Sequence, residues 1–206
     1  MIKYYQFFYL KEKIDYINIM ITETLVGLMF MLFFNLLNIT TYYRTFSLNT
    51  VLNGITTQNY HEIIRIFSSN FYHVNISHLL VNCISFINIG VPLQDYFNLF
   101  SKFHYPIILG MITIFAGLFN FIIYYIMFSI TNNMNYLMDH SCGFSGVLFG
   151  LQFFYHYLIK QDFIYACKIL VYNLIAISIL VPNVSNIGHF SGLLSGIFVA
   201  KLIGLN

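Results

Sequence analysis

Charge is what this sequence has least of: 8% of its 206 residues are Asp, Glu, Lys or Arg. A soluble globular domain carries about 25%. With so few charges the chain cannot cover a water-facing surface, so a bilayer must be the solvent for most of it. The 59% hydrophobic content and the mean hydropathy of +0.75 agree. The cationic residues are spread singly, which leaves no basic patch and excludes nucleic acid as a partner. Cysteine is scarce too. Cys83, Cys142 and Cys167 are odd in number, lack motif spacing and lie in or beside apolar runs. That argues against a disulfide framework and a thiolate zinc site, and reads as small buried side chains. Residues 1–15 mix Lys3, Lys11 and Lys13 with aromatics but lack the apolar stretch and small-residue cleavage site of a signal peptide. Residues 1–16 read as a short cytoplasmic segment and residues 17–206 as one membrane domain.

A membrane span needs about 20 apolar residues. Six segments qualify: residues 17–39, 71–93, 105–130, 142–159, 163–181 and 187–205. The expected fold is all-α, a bundle of six transmembrane helices in the lipid bilayer. Glu23 falls near the start of the first span, at headgroup level. The polar stretch 40–70 is long for a connection, and long loops are often functional. Six spans put both termini on one side. That side carries seven of the nine cationic residues, against Arg44 and Arg65 on the other. The positive-inside rule therefore makes the termini cytoplasmic. Spans two, four and six then start on the non-cytoplasmic side.

Those three starts carry the chemistry. The fourth opens on Gly143-Phe144-Ser145-Gly146 and the sixth on Gly188-His189-Phe190-Ser191-Gly192. The second opens with His73, His78 and Asn82. A serine hydroxyl is a weak nucleophile until a base takes its proton, and His189 could be that base. Gly188, Gly192 and Gly196 recur every four residues and form a bare stripe, as do Gly146 and Gly150. Such stripes let two membrane helices approach closely. Ser145 and His189 each flank a stripe. Acyl transfer builds an oxyanion that needs pre-placed donors. The fourth span's N-terminal N–H groups can supply some. His78 and Asn82, four apart on one helix face, can supply others. No carboxylate is placed to orient His189, since Asp139 lies in a loop, so the economical arrangement is a Ser-His dyad. A metal site is disfavoured: His73 and His78 are five apart, on different helix faces, with no carboxylate or thiolate beside them. No cofactor is called for.

In these motifs the chain resembles the rhomboid intramembrane serine proteases. The family's Gly-x-Ser-Gly stands as Gly143 to Gly146, and its Gly-His-x-x-Gly-x-x-x-Gly as Gly188 to Gly196. Its second-span His, His and Asn stand as His73, His78 and Asn82, and the Arg-x-Phe-x-Ser stretch from Arg65 to Ser69 is also family-like. The resemblance runs from the first span to the sixth. It implies Ser145 as nucleophile, His189 as general base and acid, and His78 and Asn82 at the oxyanion. It also implies single-span membrane proteins as substrates. Two positions depart from the pattern. Phe149 stands where many members have Tyr, able to stack on the histidine but not to donate, and Gln94 stands where many have Glu. The run Gly-Phe-Ser-Gly-Val-Leu-Phe looks most like the endoplasmic-reticulum branch, which implies a secretory-pathway membrane: endoplasmic reticulum, Golgi or plasma membrane. An inactive rhomboid-like protein that retains membrane clients is the alternative, although such relatives usually lack the serine or the histidine. A transporter would need intramembrane carboxylates or inverted repeats, and neither is evident.

Overall fold

The computed structural model describes residues 21–34, 45–181 and 184–205. The N-terminal segment with its three lysines and both ends of the expected first span lie outside the described residues. The six span segments correspond to α1 (Ile21–Phe33), α4 (Ile76–Asn98), α5 (His104–Thr131), α7 (Ser145–Lys160), α8 (Phe163–Leu180) and α9 (Asn186–Leu202). Three of them, α4, α5 and α8, are long and apolar enough to cross a membrane, and α1 is a shorter apolar helix. With 16 and 17 residues, α7 and α9 are about 25 Å long, below the hydrocarbon thickness of about 30 Å.

The bundle is built around α7. Gly146 to Leu151, Phe153 and Phe154 are all buried, on every side of that helix. It touches α4, α5, α8 and α9. The closest partner is α9, and glycine is the reason. A Cβ on Gly192 would collide with the carbonyl of Gly146, and one on Gly196 would stand 2.6 Å from the carbonyl of Gly150. Without side chains there, the two backbones are in contact. α8 is held differently. It buries only Ala166 and Leu170, both in its first half, while Val171, Tyr172, Ile175 and Ile179 beyond them are exposed.

Two expectations are corrected. The second span does not start at residue 71. Asn75 caps α4 by accepting the His78 N–H at 2.8 Å, so the helix starts at Ile76 and runs on to Asn98. His73 therefore precedes the helix instead of occupying its first turn. The stretch expected only as a long polar connection holds two helices, α2 (Leu48–Thr56) and α3 (Tyr60–Ser68), followed by a 3-10 turn at Ser69–Phe71. Ser47 caps α2 by accepting the Thr50 N–H, and Asn59 caps α3 by accepting the His61 N–H. The pair docks on α5, where Gly117 leaves room for the carbonyl of Ile66. Arg65 pairs with Glu62 and donates to the carbonyl of Thr45 at 3.2 Å. A further short helix, α6 (Met134–Met138), follows α5.

At the opposite end, α1 is tied to the bundle by Gln94. Its side-chain oxygen accepts the Thr22 N–H at 3.1 Å and the Thr22 hydroxyl at 3.3 Å. The Thr22 hydroxyl also meets the Tyr105 hydroxyl at 3.0 Å. A neutral amide serves here as a link between α1 and α4, with no charge to bury.

Candidate active site

The sequence before α7 is held in place from outside. Phe46 and Ser141 form an isolated antiparallel bridge, with N–H to carbonyl distances of 2.8 and 2.9 Å. Two residues later the Gly143 N–H donates to the carbonyl of Ser69 at 3.0 Å. Gly143 has φ +122, a conformation that side chains rarely adopt, and a Cβ there would lie 2.5 Å from the His78 ring. Next, the Phe144 N–H donates to His73 Nε2 at 3.4 Å. The chain then turns into α7 with Ser145 as its first residue. The N–H groups of the first turn have no intrahelical acceptor and point the helix's positive end at the serine's surroundings.

His189 lies in the first turn of α9, whose N-cap Ser185 accepts the Gly188 N–H at 3.1 Å. Its ring is 5% exposed. His189 Nε2 lies 2.9 Å from Ser145 Oγ. The other face of the imidazole is set by Phe149, one turn below Ser145, which stacks on it at 4.7 Å and 18°. Nδ1 of His189 has no hydrogen-bond partner among the described residues. Among the described residues the imidazole is thus oriented by ring stacking and helix packing, with no carboxylate bonded to Nδ1.

His78 and Asn82 share a face of α4. His78 packs over Gly143 and stands edge-on to His73, ring centroids 5.1 Å apart. The structure therefore brings together the two histidines that a continuous helix would have placed on different faces. Asn82 is 3% exposed, and its side-chain Nδ2 has no partner among the described residues. A buried amide donor left unmade costs free energy unless something uses it. No group of three or more metal-ligating side chains occurs among the described residues.

One feature was not read from the sequence. A cavity of ≈ 30 Å³ lies against Ser145, lined by Asn120, Ser141, Ser185 and the Ser69–Asn70 turn among others. Its volume and polar lining suit a water molecule. Asn120 of α5 donates to the Ser141 hydroxyl at 3.2 Å and keeps its carbonyl oxygen free of partners among the described residues. The available signal was a lone asparagine in the apolar third span. Taken together, the residues place a hydroxyl beside an imidazole, near free donors and a polar cavity, inside a helical bundle. That set can carry out acyl transfer.

Comparison with known proteins agrees with the motifs. A model of the rhomboid domain matches residues 60–206. Rhomboid-like protein 14, mitochondrial, of Arabidopsis thaliana is 29% identical over 150 residues, which covers 69% of this chain. The chain matches 44% of that relative's length, less than half.

Proposed function

This chain belongs to the rhomboid family, and from that premise we propose that it is an intramembrane serine endopeptidase. The observation that carries the reading is the 2.9 Å contact between Ser145 Oγ and His189 Nε2. In this mechanism Ser145 Oγ attacks the carbonyl carbon of a peptide bond in a partner's membrane segment. His189 Nε2 takes the hydroxyl proton, and the carbonyl oxygen becomes an oxyanion. His78, Asn82 and the first N–H groups of α7 donate to that oxyanion. The intermediate collapses, the C–N bond breaks, and His189 returns its proton to the leaving amine. A water then attacks the acyl-enzyme with His189 again as base, which releases the acid and restores the serine. The polar cavity beside Ser145 supports a place for that water. His73, Gly143, Gly146, Gly188, Gly192, Gly196 and Phe149 support the site by position and packing. Substrates are single-span membrane proteins.

The second reading is a rhomboid-like protein that binds clients without cutting them. The relative's name says rhomboid-like and mitochondrial, and this chain matches less than half of it. A fluorophosphonate probe separates the two readings: covalent labelling that needs both Ser145 and His189 supports the protease. The membrane is part of the same proposal. The fourth-span run favours the secretory pathway, whereas the relative's name points to mitochondria. Co-localisation of a tagged full chain with endoplasmic-reticulum and mitochondrial markers decides between them.

A further inference from the structure

Gln152 lies seven residues after Ser145 on α7, which returns it to the serine's face about 10 Å deeper in the membrane. Phe149 stands between them and stacks on His189. The side-chain oxygen of Gln152 is closed off and has no hydrogen-bond partner among the described residues. Several other polar side chains of the spans have partners. Ser191 and Ser195 donate to carbonyls of their own helix, and Gln94 accepts from Thr22. The remaining unpartnered buried atoms among the described residues, Gln152 aside, surround the dyad or belong to Glu23 and Asn98, near the start of α1 and the end of α4. Packing therefore leaves this acceptor unused at a distance from both.

Its depth adds the second observation. His156, one turn further along the same face, meets Tyr165 of the antiparallel α8, with ring centroids 6.4 Å apart. Counting one turn back along α7 and one turn forward along the antiparallel α8 sets Gln152 level with about Leu170. Leu170 is the last buried residue of α8. Gln152 thus marks the level at which burial of α8 becomes partial; beyond it Leu174 and Ile177 pack on the core only in part. An extended strand laid against the dyad between α7 and the less buried half of α8, once that half gives way, would run down this face. At about 3.3 Å per residue it reaches Gln152 about three residues from the serine.

We propose that Gln152 is a specificity-determining acceptor for the membrane segment of the substrate. It takes a hydrogen bond from a donor-bearing residue, such as asparagine or serine, about three positions on the membrane-buried side of the scissile bond. The inference rests on the proteolytic reading, so binding and cleavage are measured separately. The probes are synthetic transmembrane peptides of about 20 residues. They are leucine-rich and identical except for one asparagine walked along the segment. Binding is measured in proteoliposomes on the Ser145→Ala protein. Affinity should peak at one asparagine position. Gln152→Leu and Gln152→Met, each checked by melting temperature and monodispersity, should weaken that peak about three- to tenfold and leave the all-leucine peptide unaffected. With wild-type protein, mass spectrometry should place the cut about three residues from the peak. A flat walk, or a peak that survives both substitutions, overturns the inference. A flat walk with peptides that wild type does cut overturns it while leaving the protease intact. A Gln152-dependent peak on peptides that wild type never cuts overturns the proteolytic reading and supports the acceptor role for a bound client.

Discussion

Gly192 sits so close to the carbonyl of Gly146 that a methyl group in place of its α-hydrogen would overlap the oxygen. This contact fixes the spacing of α7 and α9, and with it the distance from Ser145 to His189. A side chain at either glycine must push the helices apart.

Gly192→Ala should therefore cost about 1–3 kcal/mol of stability by overpacking and reduce turnover more than stability alone explains. Gly196→Ala should behave similarly, since its Cβ would stand 2.6 Å from the Gly150 carbonyl. Gly110→Ala is the control, with nothing within 4 Å of the added methyl. Thermal melts in detergent and cleavage per folded molecule give both quantities. Equal behaviour of Gly192→Ala and Gly110→Ala would contradict the close-packing argument.

Gly143 tests the loop that presents the serine. Its φ of +122 strains any side chain, and a Cβ would strike the His78 ring. Gly143→Ala should lose about 1–3 kcal/mol of stability and most activity. In a His78→Ala background the collision disappears and only the backbone strain remains, so the stability loss should shrink. An unchanged loss in that background would show that His78 does not pack against this turn.

The oxyanion role of Asn82 separates from packing because its Nδ2 has no partner among the described residues. Replacing it with an apolar residue of similar size removes an unmet donor. Asn82→Leu should keep or raise the melting temperature while cutting turnover about 10²–10³-fold. Backbone donors of α7 remain, so activity should fall without vanishing. A lowered melting temperature with normal turnover per folded molecule would assign Asn82 to packing.

Much of the fold can be read from hydropathy, because the ends of α5 and α8 coincide with changes from apolar to polar sequence. The second span shows where that rule fails. Phe71, Tyr72 and Val74 are apolar but lie before the helix, since Asn75 can cap and the chain turns there. The cap was visible in the sequence as an asparagine three residues before His78. The helices α2 and α3 escape a search for long apolar runs because they are short and amphipathic, although Ser47 and Asn59 mark their starts. The pairing of fourth and sixth spans is written in the glycine spacing, and the Ser145–His189 distance follows from that packing. Gln152 and Asn120 could not be singled out. Each is one polar residue in an apolar helix, and only the three-dimensional surroundings show which of its atoms lacks a partner.

Topology is open to a labelling test. The lysine asymmetry predicts that residues 131–141 lie on the non-cytoplasmic side. Asn133→Cys should react with an impermeant thiol reagent only from that side, with the native chain as background control for Cys83, Cys142 and Cys167. Reaction from the cytoplasmic side would place the dyad in the opposite leaflet.

The proposed dyad is tested most directly by fluorophosphonate labelling of purified, folded protein, read by in-gel fluorescence and by mass spectrometry of the modified peptide. Wild type should carry the label on Ser145. Ser145→Ala and His189→Ala should each abolish it together with cleavage, the double variant should be no worse than either, and chelators should have no effect. Wild-type protein that is folded yet unlabelled, or cleavage that survives in Ser145→Ala, would contradict the serine mechanism.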